Sequence, residues 1–157
     1  MAIANKLKQY LDNEHVDYDI IQHPYADTSM KVAQNAHISG ENIAKAVLLH
    51  DDDGYVLAIV PATHKVRLGK LHKKFKRHNL ALADESDILE LFDDCSIGAI
   101  PALGKAYNMD VIYDDTFNKR NDIYFEAGDH TNLVHMSKAD FRKLLDEAPH
   151  GKISRHL

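Results

Sequence analysis

Lys45 is the first residue of this 157-residue chain whose position calls for chemistry. It lies in the apolar run IAKAVLL (43–49), and strand alternation would set it in a row with Ile43, Val47 and Leu49. A buried ammonium without a partner costs on the order of several kcal/mol or gives up its proton, so either the side chain snorkels to water or an anion meets it. A second candidate is the stretch Gly98-Ala99-Ile100-Pro101-Ala102-Leu103-Gly104. Its two glycines let backbone approach a ligand closely, and such a loop can aim N–H groups at a developing oxyanion; it can equally be an ordinary connection before a strand. The third is HKVRLGKLHKKFKRH (64–78), which holds seven Lys or Arg, three His and no acid. It reads either as a phosphate-facing patch or as a solvated face.

Other chemistries find no pattern. The eleven histidines form no His-Glu-x-x-His or other recognised ligand spacing, so neither a metal nor any other cofactor is expected. Cys95 is alone, has no nucleophile signature around it, and reads as an inert thiol. There is no Gly-x-Ser-x-Gly, Walker loop or dinucleotide fingerprint.

The chain around these residues is 45% apolar and 27% charged, with 7 Gly, 4 Pro and no Trp, which suits one domain over 1–157 and excludes collagen-like, disordered and disulfide-stapled classes. The N-terminus mixes charges where a secretory signal needs an apolar stretch, and the longest apolar run, Tyr55 to Ala62, falls far short of a bilayer span. A cytoplasmic protein without a membrane partner is expected. The net charge of −5 argues against indiscriminate nucleic-acid binding, DNA included. It is, however, a sum over one basic segment and a more acidic remainder.

Periodicity predicts a helix over 3–13, from Ile3, Leu7, Tyr10 and Leu11, then a short strand DYDIIQ ended by His23-Pro24. Asp27, Thr28 and Ser29 are cap residues for a second helix. The runs 43–49 and 55–60 around HDDDG form the strongest hairpin signal, and the second is apolar on both faces, as a covered central strand should be. Val66, Leu68, Leu71 and Phe75 are spaced for a basic helix, and Asp84 can cap ESDILELF. Strands are expected at MDVIY, DIYFEA and NLVHM, and Ser137 opens a last helix. The hairpin excludes a purely parallel sheet, leaving a mixed α/β sheet with helices packed outside.

In order and spacing these features resemble the YbaK/ProX-type aminoacyl-tRNA deacylases, which include the editing domain inserted in bacterial prolyl-tRNA synthetases. The resemblance runs from Tyr10 to Leu145. It is carried by His23-Pro24, Thr28-Ser29 opening a helix, Ile43-Ala44-Lys45 leading a strand, Tyr55 to Pro61, the loop from Gly98, Asp114 after a strand, Ala127-Gly128, and Ser137 opening the last helix. It implies a mixed, partly barrel-like sheet flanked by helices, and metal-free hydrolysis of the ester joining a wrong amino acid to the terminal adenosine of a tRNA. Lys45 would lie near the terminal nucleotide. Gly98, Ala99, Ile100 and Pro101, continuing to Leu103 and Gly104, would hold the aminoacyl end and the attacking water, with His23, Thr28, Ser29 and Gly128 at further pocket positions. A ribose hydroxyl of the substrate would assist, in keeping with the lack of a nucleophile pair in the sequence. Expected partners are the acceptor end of a mischarged tRNA, met by Lys65, Arg67, Lys70, Lys73, Lys74 and Lys76, and an aminoacyl-tRNA synthetase. One departure stands out. The usual loop is Gly-x-x-x-Pro, whereas Pro101 comes one position early, which changes the available backbone donors and favours the alternative of a non-catalytic module binding aminoacyl-tRNA, nucleotide or a small ligand in the same pocket.

Overall fold

Two apolar runs and an Asp-rich turn build the spine of the sheet. In the computed structural model, which describes residues 3–157, β2 (Ile43–Asp51) and β3 (Gly54–Pro61) pair antiparallel from Ala44↔Pro61 to Asp51↔Gly54. The reversal is held by the Asp53 N–H donating to the Asp51 carboxylate at 2.9 Å, and Gly54 takes φ +129°, a region open to glycine. Both faces of β3 are covered: Leu57 and Ile59 join one core cluster, and Val56, Ala58 and Val60 another.

The remaining elements are placed around this hairpin. α1 (Asn5–Asn13) buries Leu7 and Leu11 and precedes β1 (Asp19–Gln22). α2 (Ser29–Ala36) begins where Thr28 accepts the Lys31 N–H at 3.2 Å. After the hairpin come β4 (His64–Val66), α3 (Leu68–Phe75), β5 (Ala81–Leu82) and α4 (Glu85–Leu91), the last opened by a reciprocal Asp84/Asp87 capping box. β6 (Asp110–Asp114), β7 (Asp122–Glu126), β8 (Asn132–Ser137), α5 (Lys138–Leu145), β9 (His150–Gly151) and β10 (Ser154–His156) complete the chain. Ser137 caps α5 by accepting the Asp140 N–H at 3.2 Å.

The main sheet runs β1-β8-β7-β2-β3-β6-β9, with β5 also on β2; β2/β7, β3/β6 and β6/β9 are parallel and the rest antiparallel. The mixed α/β class expected from the interspersed elements is therefore observed. The sheet does not close into a barrel, because no ladder among the described residues joins β1 to β9. α1 and α5 pack on one face with Phe92, Phe117, Phe125 and Phe141, while α2 and α3 cover separate patches of the other.

One sequence expectation needs correction. Val66 belongs to β4 rather than the basic helix, which starts at Leu68, because the His64–Val66 backbone pairs with β10. The two- and three-residue strands β4, β5, β9 and β10 are too short for any periodicity to reveal. The last is fixed by side-chain chemistry: Asp114, 2% exposed, accepts the Ile153 N–H at 3.1 Å and the Ser154 hydroxyl at 2.7 Å.

Candidate functional site

One edge of β2 is left partly unpaired. β7 reaches only Ile43 and Ala44, and β5 only Leu49 and His50, so residues 45–48 have no ladder on that side. The Ile43 carbonyl accepts from Ala62, beside β3, and the Leu48 carbonyl accepts from Ala83, beside β5. Backbone alternation therefore turns odd-numbered residues of β2 toward β3 and even-numbered ones toward the gap. Among the described residues the N–H and C=O of Ala46 consequently meet no protein partner. A cavity of about 350 Å³ opens at this gap. It is lined by Lys45, Glu126 and the start of α2 (Asp27, Thr28, Ser29), and by the apolar Leu82, Ile88 and Ile100.

Lys45 is half-buried, and its ammonium donates to the His64 carbonyl at 2.7 Å. Neither a full escape to water nor an anion describes it: a backbone carbonyl takes one proton, and burial pulls the ammonium below its ordinary pKa. That carbonyl is itself held in place, since the His64 ring Nδ1 lies 2.9 Å from Ser154 Oγ, whose hydroxyl donates to Asp114. The C-terminal strand thus sets the lysine's position through β4. The N-terminus of α2 adds partial positive charge to the same cavity.

Glu126 is the residue sequence reasoning missed. It is 4% exposed, and neither carboxyl oxygen has a hydrogen-bond partner. Burial, reinforced by the nearby Asp129, pushes its carboxyl up to about 8. Ile123, Phe125 and Ala127 face the α5 side, so alternation puts Tyr124 and Glu126 on the opposite face, shared with Lys45. An acid directly after the apolar run Ile123-Tyr124-Phe125 is the available signal. His130 was invisible for a different reason. Its backbone sits at φ +65° in the β7–β8 turn, and its ring reaches the Ala26 carbonyl from Nδ1 (3.0 Å) and the Ile97 carbonyl from Nε2 (2.7 Å). The ring joins the segment entering α2 to the loop from Gly98, and no spacing in the sequence announces that.

The loop itself divides. Gly98 and Ile100 line the cavity. Gly98 has φ +85°, and a Cβ there would lie 3.2 Å from the His130 ring and 3.3 Å from the Asp27 carbonyl. Ala99 and Pro101 are buried behind the wall, and the Ala99 N–H is taken by the Ser96 carbonyl at 3.1 Å. Leu103 and Gly104 face another cavity, of about 530 Å³, on the β6 edge. Of the further pocket candidates, Thr28 and Ser29 line the β2-edge cavity. His23 instead lines a shallow depression with Tyr25 and Thr131, and Gly128 packs on Ala4 and Cys95. Lys65, Arg67, Lys70, Lys73, Lys74 and Lys76 are exposed on β4, α3 and its flanks, and none of them lines the cavity; Lys65 follows the residue that holds Lys45. Burial pushes the Cys95 thiol up to about 12, so it is protonated near neutral pH.

A model of the aminoacyl-tRNA editing domain matches residues 23–144. Among solved structures, hypothetical protein APE2540 is similar, with a TM-score of 0.84 at 16% identity over 96% of this chain and 100% of that one. A protein described as a candidate trans-editing enzyme for prolyl tRNA synthetase gives 0.83 at 17%, over 96% and 95%. A candidate signal transduction protein from Marinobacter aquaeolei VT8 gives 0.78 at 19%, over 95% of this chain and 30% of the other. At these identities the structures share a fold with the chain. No curated protein matches the sequence. No helix among the described residues is long and apolar enough to cross a membrane.

Proposed function

The chain belongs to the aminoacyl-tRNA editing domain family, and from that premise we propose that it is a deacylase acting in trans in the cytoplasm on mischarged aminoacyl-tRNA. The carrying observation is the gap on the β2 edge, where Lys45, the N-terminus of α2, Gly98 and Ile100 line one cavity. The terminal nucleotide lies against Lys45 and α2, which offer positive charge to its phosphate and donors to its ribose. Water attacks the ester carbonyl, the oxyanion forms against backbone N–H groups of the Gly98 loop, and collapse expels the ribose hydroxyl, leaving free amino acid and tRNA. The neighbouring ribose hydroxyl helps hold the water. Pocket size sorts amino acids by only about 1–3 kcal/mol per methylene, which is the selectivity a second sieve supplies.

A binding module without turnover is the rival, favoured by the loop's scarcity of donors: Pro101 has no N–H and that of Ala99 is already bonded. Deacylation of a panel of mischarged tRNAs, with Lys45→Ala as control, separates the two. The deacylase reading expects turnover of at least one member, lost in the control. Binding without turnover across the panel would establish the module instead.

A further inference from the structure

Glu126 has a carboxyl group with nowhere to spend its charge. It is buried, both oxygens lack a partner, and it lines the cavity. Extending the β2/β7 register one step beyond Ala44↔Phe125 brings it beside Lys45 on the same face, yet no ion pair joins them, because the lysine is committed to the first residue of β4 through the His64 carbonyl. Asp129, the nearest acid to act on it, is occupied by the Thr131 and Asn132 N–H groups and the Asn132 amide. The cavity therefore holds an unjoined cation and acid side by side, while its other acid, Asp27 at the start of α2, is already met by Lys31 at 3.1 Å.

Resting on the deacylase reading, we propose that Glu126 receives the α-ammonium of the aminoacyl group, so that the site selects esters whose α-amino group is free and cationic. The phosphate of the same ligand is anionic and would be repelled there, and a ribose hydroxyl can donate to a carboxylate but leaves its charge uncompensated. The α-ammonium is the one cation of an aminoacyl ester outside its side chain, and it lies next to the scissile carbonyl. Seating it on Glu126 with the nucleotide on Lys45 places the ester between them, beside Gly98 and Ile100. With no cation beside it, burial keeps Glu126 largely protonated near neutral pH. Arrival of the ammonium stabilises the carboxylate, the carboxyl proton leaves to solvent, and a desolvated ion pair forms with no bond made or broken in the ligand.

The test uses 3′-glycylamino-3′-deoxyadenosine, a non-hydrolysable probe whose aminoacyl group is the smallest available, and its N-acetyl derivative. Calorimetry at pH 7 in buffers of different ionisation enthalpy should show tighter binding of the free amine by about 10- to 100-fold, with proton release, and no release with the acetylated probe. Glu126→Gln should bind both probes alike without proton release, and Glu126→Asp should recover part of the preference. Folding is checked by melting at pH 8, where Glu126→Gln should be the more stable protein because it no longer buries an ionising carboxyl. Equal binding of the two probes by the wild type, absence of proton release, no binding of either probe, or an amine preference retained by Glu126→Gln would overturn the proposal. Turnover of aminoacyl-tRNA that is indifferent to Glu126 would leave the deacylase reading standing alone. Amine preference without turnover would leave the ligand assignment standing and remove the hydrolysis.

Discussion

Two cavities lie on two strand edges of the sheet, and the smaller of the pair is the better candidate site. In the larger, about 530 Å³ beside β6, both lining cations are already paired. Arg77 forks onto Asp51 at 2.6 and 3.1 Å, and Lys105 meets Asp146 at 2.7 Å. The smaller, about 350 Å³ beside β2, is lined by groups that are not: an ammonium on a single carbonyl, a carboxyl on nothing, and the unpaired backbone of Ala46. Volume measures where side chains stop. Unspent charge and hydrogen-bonding capacity measure what a ligand would gain by entering.

The sharpest way to break this comparison is to remove one cation from each cavity. Lys45→Ala should lower deacylation by roughly 100-fold or more at nearly unchanged stability, as expected for loss of a group that meets developing or substrate charge. Arg77→Ala should do the reverse. It takes the guanidinium from Asp51, whose side chain is 1% exposed and keeps only backbone donors such as the Asp53 N–H, costing roughly 1–3 kcal/mol while kcat/KM of the folded protein holds. Parallel melting curves and kinetics check both, and a swap of these outcomes would move the site to β6.

The two glycines of the 98–104 loop sharpen the contrast at a smaller scale, since each faces a different cavity. Gly98→Ala imposes φ +85° on a residue with a Cβ, at about 1–2 kcal/mol, and crowds His130. A fall in kcat/KM of about 10-fold is expected. Gly104→Ala would put a Cβ 2.4 Å from the Met109 carbonyl and should lower stability by about 1–3 kcal/mol, leaving the kinetics of the folded fraction intact.

That division explains what could be read from the amino-acid order and what could not. The hairpin, the caps of α2, α4 and α5, and Lys45 were legible because each is a local pattern: two apolar runs around a turn, a hydroxyl or acid ahead of a helix, a charge in an apolar row. The 98–104 stretch looked like one functional loop, but local composition does not say which way a chain faces. Position in the chain groups Leu103, Gly104, His23 and Gly128 with the site, and packing turns them elsewhere. Glu126 and His130 matter through partners distant in sequence, or through the lack of one, and β4 and β10 exist because Asp114 holds residues 39 and 40 positions away.

The smallest expected effect concerns the basic segment outside both cavities. Reversing Lys73, Lys74 and Lys76 should weaken tRNA binding and reduce the slope of log K against log salt by roughly 0.7 for each phosphate no longer neutralised, with turnover of bound substrate unchanged. Filter binding over a salt series reads the slope, and an unchanged slope would make the segment a solvated face.

Backbone amide exchange with and without the glycyl-adenosine probe tests the central claim most directly, because it reads the β2 edge itself. Free of ligand, the Ala46 amide should exchange faster than its ladder-paired neighbours Lys45 and Val47, and the probe should slow it together with Gly98 and Ile100. Protection confined to Lys105 and Val111 on the β6 side, with Ala46 unchanged, would contradict the account.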